Sequence, residues 1–145
     1  MLLRIHPDNP DERKIRQICG MLERDAVIIV PTDTVYSMAC LLGSSKGLER
    51  IARLKNIPLK TAQFSIGCSD LSQLALYTRP LNSGTFKAMK RAFPGPYTFI
   101  VPANNNVPKW FTGKRKSIGI RVPNNRIFSA IVQELGLPLV VSSVR

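Results

Sequence analysis

The sequence predicts an α/β fold: a twisted sheet of parallel and antiparallel strands, with helices on both faces. Three observations predict it. Short apolar runs rich in Val and Ile occur at residues 27–30, 97–103, 118–123 and 137–143, the composition of buried strands. Between them lie segments whose apolar residues recur every three or four positions, the spacing of a helix with one buried face. Strands interleaved with helices build a sheet covered on both sides. Finally, Val27–Val30 and Val35–Leu41 are separated only by Pro31, Thr32, Asp33 and Thr34. That spacing makes a hairpin, so the sheet is mixed rather than purely parallel.

Taken in order, "LLRIH" at 2–6 predicts a short first strand. "NPDERKIRQICGMLER" at 9–24 predicts a helix capped by Asp8 or Asn9, with Pro10 near its first position and acids in its first turn. Ile15, Ile18, Cys19 and Leu22 form its buried face. After the hairpin, Ser44 or Ser45 caps "KGLERIARLK" at 46–55, with Leu48, Ile51 and Ala52 inward. "AQFSIG" (62–67) is a strand, and "SDLSQLALY" (69–77) a helix capped by Ser69. "NSGTFKAMKRAF" (82–93) is a helix with Phe86, Met89 and Phe93 inward, stopped by Pro94-Gly95-Pro96. "YTFIVPA" (97–103) is a strand, "NNNVPKWFTGKRKS" (104–117) a polar loop, and "IGIRVP" (118–123) a strand. "NRIFSAIVQELG" (125–136) is a helix closed by Gly136, and "LPLVVSS" (137–143) the final strand. The chain stops two residues past this central-looking strand. The expectation is one domain over 1–145 that is incomplete at its C-terminal end.

Composition narrows the function classes. Lys plus Arg number 21 against 9 Asp plus Glu, a formal net charge of +12. Such a surface attracts RNA or small phosphorylated ligands. The cysteines, Cys19, Cys40 and Cys68, are far apart and form no CxxC pair, so they suggest neither a zinc site nor a disulfide framework but reduced thiols in the cytoplasm. His6 is the sole histidine, which argues against histidine triads and multi-histidine metal sites. No GxxxxGK[ST] or GxGxxG signature occurs, and no apolar run approaches the roughly 18 residues of a membrane span.

Several polar residues fall at strand ends, the usual rim of a ligand crevice in an open sheet: Thr32 and Asp33, Arg121, and Ser142 with Ser143. Lys55 closes a helix just before an irregular segment. Arg121, between Ile120 and Val122, needs a carboxylate or an anionic ligand as partner; Asp33 and Glu134 are the candidate carboxylates. "KWFTGKRKS" pairs aromatics with a basic run, a pattern that grips nucleic acid, so Lys109, Trp110, Lys114, Arg115 and Lys116 are RNA-binding candidates. The alternative is a solvated loop with Trp110 and Phe111 folded onto the core.

Four blocks in order, "PTDTVYSMA" (31–39), "LERIARLKNIP" (48–58), "FPGPYTFIVP" (93–102) and "IGIRVP" (118–123), resemble the YrdC/YciO family, whose members include threonylcarbamoyl-adenylate synthases. "RIHPDNPDER" and "VPKWFTGKRKSIGIRVP" are similar to the YciO branch. The resemblance implies a three-layer fold with a basic concave cavity. In the synthases, L-threonine, bicarbonate and ATP, accompanied by Mg2+, give threonylcarbamoyl-AMP and pyrophosphate, feeding N6-threonylcarbamoylation of adenosine 37 in tRNA. It further implies that Thr32, Arg121 and Ser143 contact the threonine and that Lys55 and Ser117 contact the nucleotide, with no protein nucleophile and no protein-held metal. The pattern departs at Lys55-Asn56-Ile57, where synthases have Lys-x-Arg, at Ser143-Val144-Arg145, where they have Ser-x-Asn, and at Tyr36-Ser37, where they have Tyr-Gly. The resulting expectation is a nucleotide-binding protein with weak or altered synthase activity. The alternative is a non-catalytic module that binds double-stranded RNA, tRNA or rRNA.

Overall fold

A computed structural model describes residues 1–59, 64–112 and 116–144. Its six strands are β1 (Ile28–Val30), β2 (Ser37–Leu41), β3 (Ser65–Gly67), β4 (Phe99–Pro102), β5 (Ser117–Arg121) and β6 (Leu139–Ser143). They form one sheet in the order β1-β2-β6-β3-β5-β4. Only β3 and β5 are parallel, and every other neighbouring pair is antiparallel. The mixed sheet is as expected. Its helices are α1 (Glu12–Glu23), α2 (Ser45–Leu54), α3 (Leu71–Ala75), α4 (Ser83–Ala92), α5 (Lys109–Thr112) and α6 (Arg126–Leu135).

Alternation along the strands separates two cores. Met38, Cys40, Ile66, Ile118, Ile120 and Val140 point to one face and pack under α2 to α5 with Leu48, Ile51, Leu74, Met89 and Phe111. Ala39, Leu139 and Val141 point to the other and pack under α1 and α6 with Ile15, Leu22, Phe128 and Ile131. Gly67 lets α6 approach this second face: a Cβ there would lie 2.4 Å from the Phe128 ring.

Local chemistry sets most helix ends. Ser44 Oγ accepts from the Gly47 N–H at 2.9 Å and starts α2. Asn125 caps α6, and Gly136 ends it with φ +67°. Helix α2 ends in a Schellman motif. Asn56, with φ +55°, donates to Arg53 O, and the Ile57 N–H donates to Ala52 O. That motif turns Ile57 onto the first core.

Several expected boundaries shift. Residues 2–6 form no strand: among the described residues no ladder partner pairs with them, and Leu3 and Ile5 pack on the second core by side chain alone. The α1 cap is Asp11, not Asp8 or Asn9, because the Asp8 and Asn9 N–H groups donate to His6 Nδ1 instead. Asp70 rather than Ser69 caps α3, which ends by Ala75. Phe86 faces outward at 42% exposure beside Lys90, since α4 turns only Met89 fully inward. The expected loop at 104–117 includes the short helix α5, which buries Phe111 and leaves Trp110 44% exposed.

Candidate functional site

The site is built on the second face of the sheet, where the strands carry small residues. Ser117, Gly119 and Arg121 alternate with the core residues Ile118 and Ile120. Ser65 pairs with Gly119 on one side and Val141 on the other, and Ser37 pairs with Ser143. These residues therefore share the face that α1 and α6 cover farther along the sheet.

The loop from Pro31 to Tyr36 folds back across this face. Val30 and Ser37 lie in the register row of Ser143, whereas Arg121 pairs with Gly67 in the row of Leu139. Those rows are four residues, or about 13 Å, apart. Asp33 nevertheless reaches Arg121: its Oδ1 accepts from Arg121 Nη2 at 2.6 Å. Its Oδ2 accepts from the Asn124 N–H at 3.1 Å, and Asn125 Nδ2 donates to the Thr32 carbonyl at 3.5 Å. Thr32 itself builds the loop, its hydroxyl donating to Val35 O at 2.7 Å and accepting from the Thr34 N–H at 3.2 Å. Of the two carboxylates considered for Arg121, the partner is thus Asp33. The two side chains are only 12% and 11% exposed. Arg121 Nε is buried, and among the described residues nothing accepts from it. A buried donor without a partner is costly, and this one would suit an anionic ligand.

Lys55 sits at the C-cap of α2, where the left-handed Asn56 ends the helix. Its Nζ donates to Ser142 Oγ at 2.8 Å and to the Ser143 carbonyl at 2.9 Å. One cation is therefore anchored at the end of β6 from the first face, to which Ser142 points with its register partner Met38, while Ser143 faces the second. The structure thus forms two groups, Lys55 with Ser142 and Ser143, and Arg121 with Asp33 and Thr32. The β1–β2 loop links them. Asn124 and Asn125, which hold that loop, gave no signal in the sequence beyond standing at the start of the expected helix at 125–136.

Other candidates fall away or lie apart. Lys114, Arg115 and Arg145 lie outside the described residues. Lys109 and Lys116 are exposed. The three thiols are buried. Burial pushes the Cys19 thiol up to about 11 and those of Cys40 and Cys68 up to about 12, so none supplies a thiolate near neutrality. Among the described residues no three His, Cys, Asp or Glu side chains gather where they could hold a metal, and no helix is long and apolar enough to cross a membrane. A cavity of about 450 Å³ opens between the start of α3, the Phe93–Pro94 bend and the start of α6. It touches Asn124 and Asn125 but none of Thr32, Lys55, Ser117, Arg121 or Ser143.

Comparison with known proteins agrees with the fold. A family model named Sua5/yciO/yrdC and described as telomere recombination matches residues 20–145. The Escherichia coli protein YciO is 38% identical over 97% of this chain and 68% of its own. Its crystal structure superposes with a TM-score of 0.89. A threonylcarbamoyl-AMP synthase of Nitrosococcus oceani is 29% identical over 90% of this chain and 70% of its own. The fold also matches P. abyssi Sua5 complexed with L-threonine, with a TM-score of 0.86 at 24% identity over 93% of this chain and 39% of that one.

Proposed function

The chain belongs to the Sua5/YciO/YrdC family, and from that premise we propose that it binds ATP or a related nucleotide at the end of β6, where Lys55 from the first face meets the small residues of the second, with weak or altered threonylcarbamoyl-AMP synthase activity. The observation that carries this reading is the pair of pre-positioned cations: Lys55 anchored on Ser142 and Ser143, and Arg121 clamped by Asp33 with Nε left free. In this chemistry the threonine amine and bicarbonate condense to a carbamate with loss of water. The carbamate oxygen then bonds to the α-phosphorus, and pyrophosphate leaves. No protein nucleophile is required, which suits a site whose thiols are buried and whose His6 is exposed and accepts two backbone N–H groups. What the protein supplies is positioning and positive charge. Arg121 would bind the threonine carboxylate, with Thr32 and Ser143 lining its side. Lys55 and Ser117 would contact the nucleotide. The described residues do not fit a protein-held metal, so Mg2+ would come bound to the triphosphate.

Ile57 supports the reading of a weak or altered activity. It packs on the first core as the last residue of the Schellman motif, so one phosphate-binding cation of the synthase pattern is replaced by a structural contact. The test incubates the chain with ATP, threonine and bicarbonate, measuring pyrophosphate release alongside ATP binding. Lys55→Met serves as the control. Turnover or ATP binding is expected in the parent, with at least tenfold weaker binding in Lys55→Met. If the folded parent shows neither, the proposal fails. It also fails if Lys55→Met binds ATP as tightly as the parent.

A further inference from the structure

The cavity between the start of α3, the Phe93–Pro94 bend and the start of α6 measures about 450 Å³, within the roughly 300–1,000 Å³ of small-molecule sites. Its floor is apolar and fixed in place. Val122 and Pro123 are buried, the Val122 carbonyl accepts from the Gly95 N–H at 3.0 Å, and the Phe93 ring packs edge-on against Phe99 with centroids 5.3 Å apart. Two charged residues border it, Asp70 and Arg126. They form no ion pair with each other, and neither pairs with any other charge among the described residues. Neutral groups hold each of them instead. Asp70 Oδ1 accepts from the Gln73 N–H at 2.8 Å as the cap of α3, and Arg126 Nη1 donates to the Asp8 carbonyl at 2.8 Å. The second Asp70 oxygen and the remaining Arg126 donors have no partner among the described residues. An acid and a base thus border one cavity, above an apolar floor, without meeting.

That arrangement selects a class of ligand. An anion or a cation alone would answer one of the two charges and be repelled by the other, and a neutral apolar molecule would answer neither. A zwitterion answers both, with its ammonium on Asp70 and its carboxylate on Arg126 in charge-assisted hydrogen bonds. The floor of Phe93, Val122 and Pro123 then favours a hydrocarbon group between them. An α-amino acid with an apolar side chain has all three parts. The cavity also reaches the Arg121 clamp. Asn124 and Asn125 border it, and they are the residues that donate to Asp33 Oδ2 and to the Thr32 carbonyl. An occupant that anchors residues 123–126 therefore favours the loop conformation that holds Arg121.

We propose that this cavity is an effector site for an apolar α-amino acid, separate from the Lys55 and Arg121 site and coupled to it through Asn124 and Asn125. Binding at the cavity stands by itself; only its regulatory meaning rests on the nucleotide-binding reading. The test titrates L-leucine into the 145-residue chain by calorimetry, beside L-leucinamide, which lacks the carboxylate, and 4-methylpentanoate, which lacks the amine. Leucine should bind saturably, and each analogue about tenfold or more weaker, the loss of one charge-assisted contact. Asp70→Asn keeps a residue that caps helices well and removes only the charge, so it should fold like the parent and bind leucine about tenfold or more weaker. Arg126→Gln should show a loss of similar size. The comparison variant Glu23→Gln removes a charge at the last residue of α1 and should leave affinity within twofold. Saturating leucine should also slow amide exchange at Thr34 and Asn124 by about twofold or more. The proposal is overturned if the folded parent shows no saturable leucine binding, if either analogue binds as tightly as leucine, or if Asp70→Asn binds like the parent. Unchanged exchange at saturation overturns the coupling. None of these readouts uses ATP, so a chain that binds leucine but not ATP refutes the nucleotide reading and leaves the cavity site standing.

Discussion

Replacing Asp33 by alanine should destabilise the protein well beyond an ordinary loop substitution. Asp33 is one of two acceptors that hold the β1–β2 loop across the sheet, and it compensates Arg121 where both side chains are nearly buried. Removing it deletes a charge-assisted bond of 2.6 Å and a backbone bond of 3.1 Å. It also leaves the guanidinium, whose Nε already has no acceptor among the described residues, with no counter-charge among them. Truncating one partner of a buried pair costs about 3–5 kcal/mol, and some residual exposure places this pair at about 3 kcal/mol. For a chain of this length each kcal/mol moves the melting temperature by roughly 3 °C, so a drop of about 10 °C is expected. The assay is thermal unfolding of the parent, Asp33→Ala, Arg121→Met and the double variant. The double variant should be more stable than the sum of the single losses predicts, with a coupling of about 1.5–3 kcal/mol for a hydrogen-bonded charge pair. A shift under 2 °C for Asp33→Ala, or strictly additive losses, would refute the reasoning.

Two further predictions concern the buried interior. Ile57→Arg forces a cation toward the first core and should lower stability by about 1–3 kcal/mol with unchanged ATP affinity. An unchanged melting temperature with tenfold tighter ATP binding would mean that position 57 faces the ligand. Because burial raises Cys19, Cys40 and Cys68 from 9.0 to about 11, 12 and 12, the unfolded chain releases these protons first. Their stabilising contribution is therefore full below pH 9 and is lost as pH rises toward 11–12. Urea midpoints at pH 7, 8 and 10.5 should show that fall only in the last. Iodoacetamide at pH 8 should label all three thiols only after denaturation, and rapid labelling of the native chain would contradict their burial.

Much of the architecture was legible because its signals are local. Ser44 and the spacing of Leu48, Ile51 and Ala52 specify α2, as Gly136 specifies the end of α6. The short polar interval after Val30 specifies the hairpin. What periodicity cannot express is competition for the same backbone groups. His6 Nδ1 takes the N–H groups that would have opened α1 earlier, and residues 2–6 have strand character but no neighbouring strand to pair with. The family motifs pointed to Thr32, Lys55, Ser117, Arg121 and Ser143, yet their partners were decided only by tertiary structure. Arg121 finds Asp33 at a separation of 88 residues, and Lys55 finds Ser142 at 87. Those meetings depend on the strand order, which sets β6 between β2 and β3, and on a loop that doubles back over the sheet. A side chain's need for a counter-charge or an acceptor is written in its chemistry, but which group answers that need depends on distances that exist only once the strands have paired.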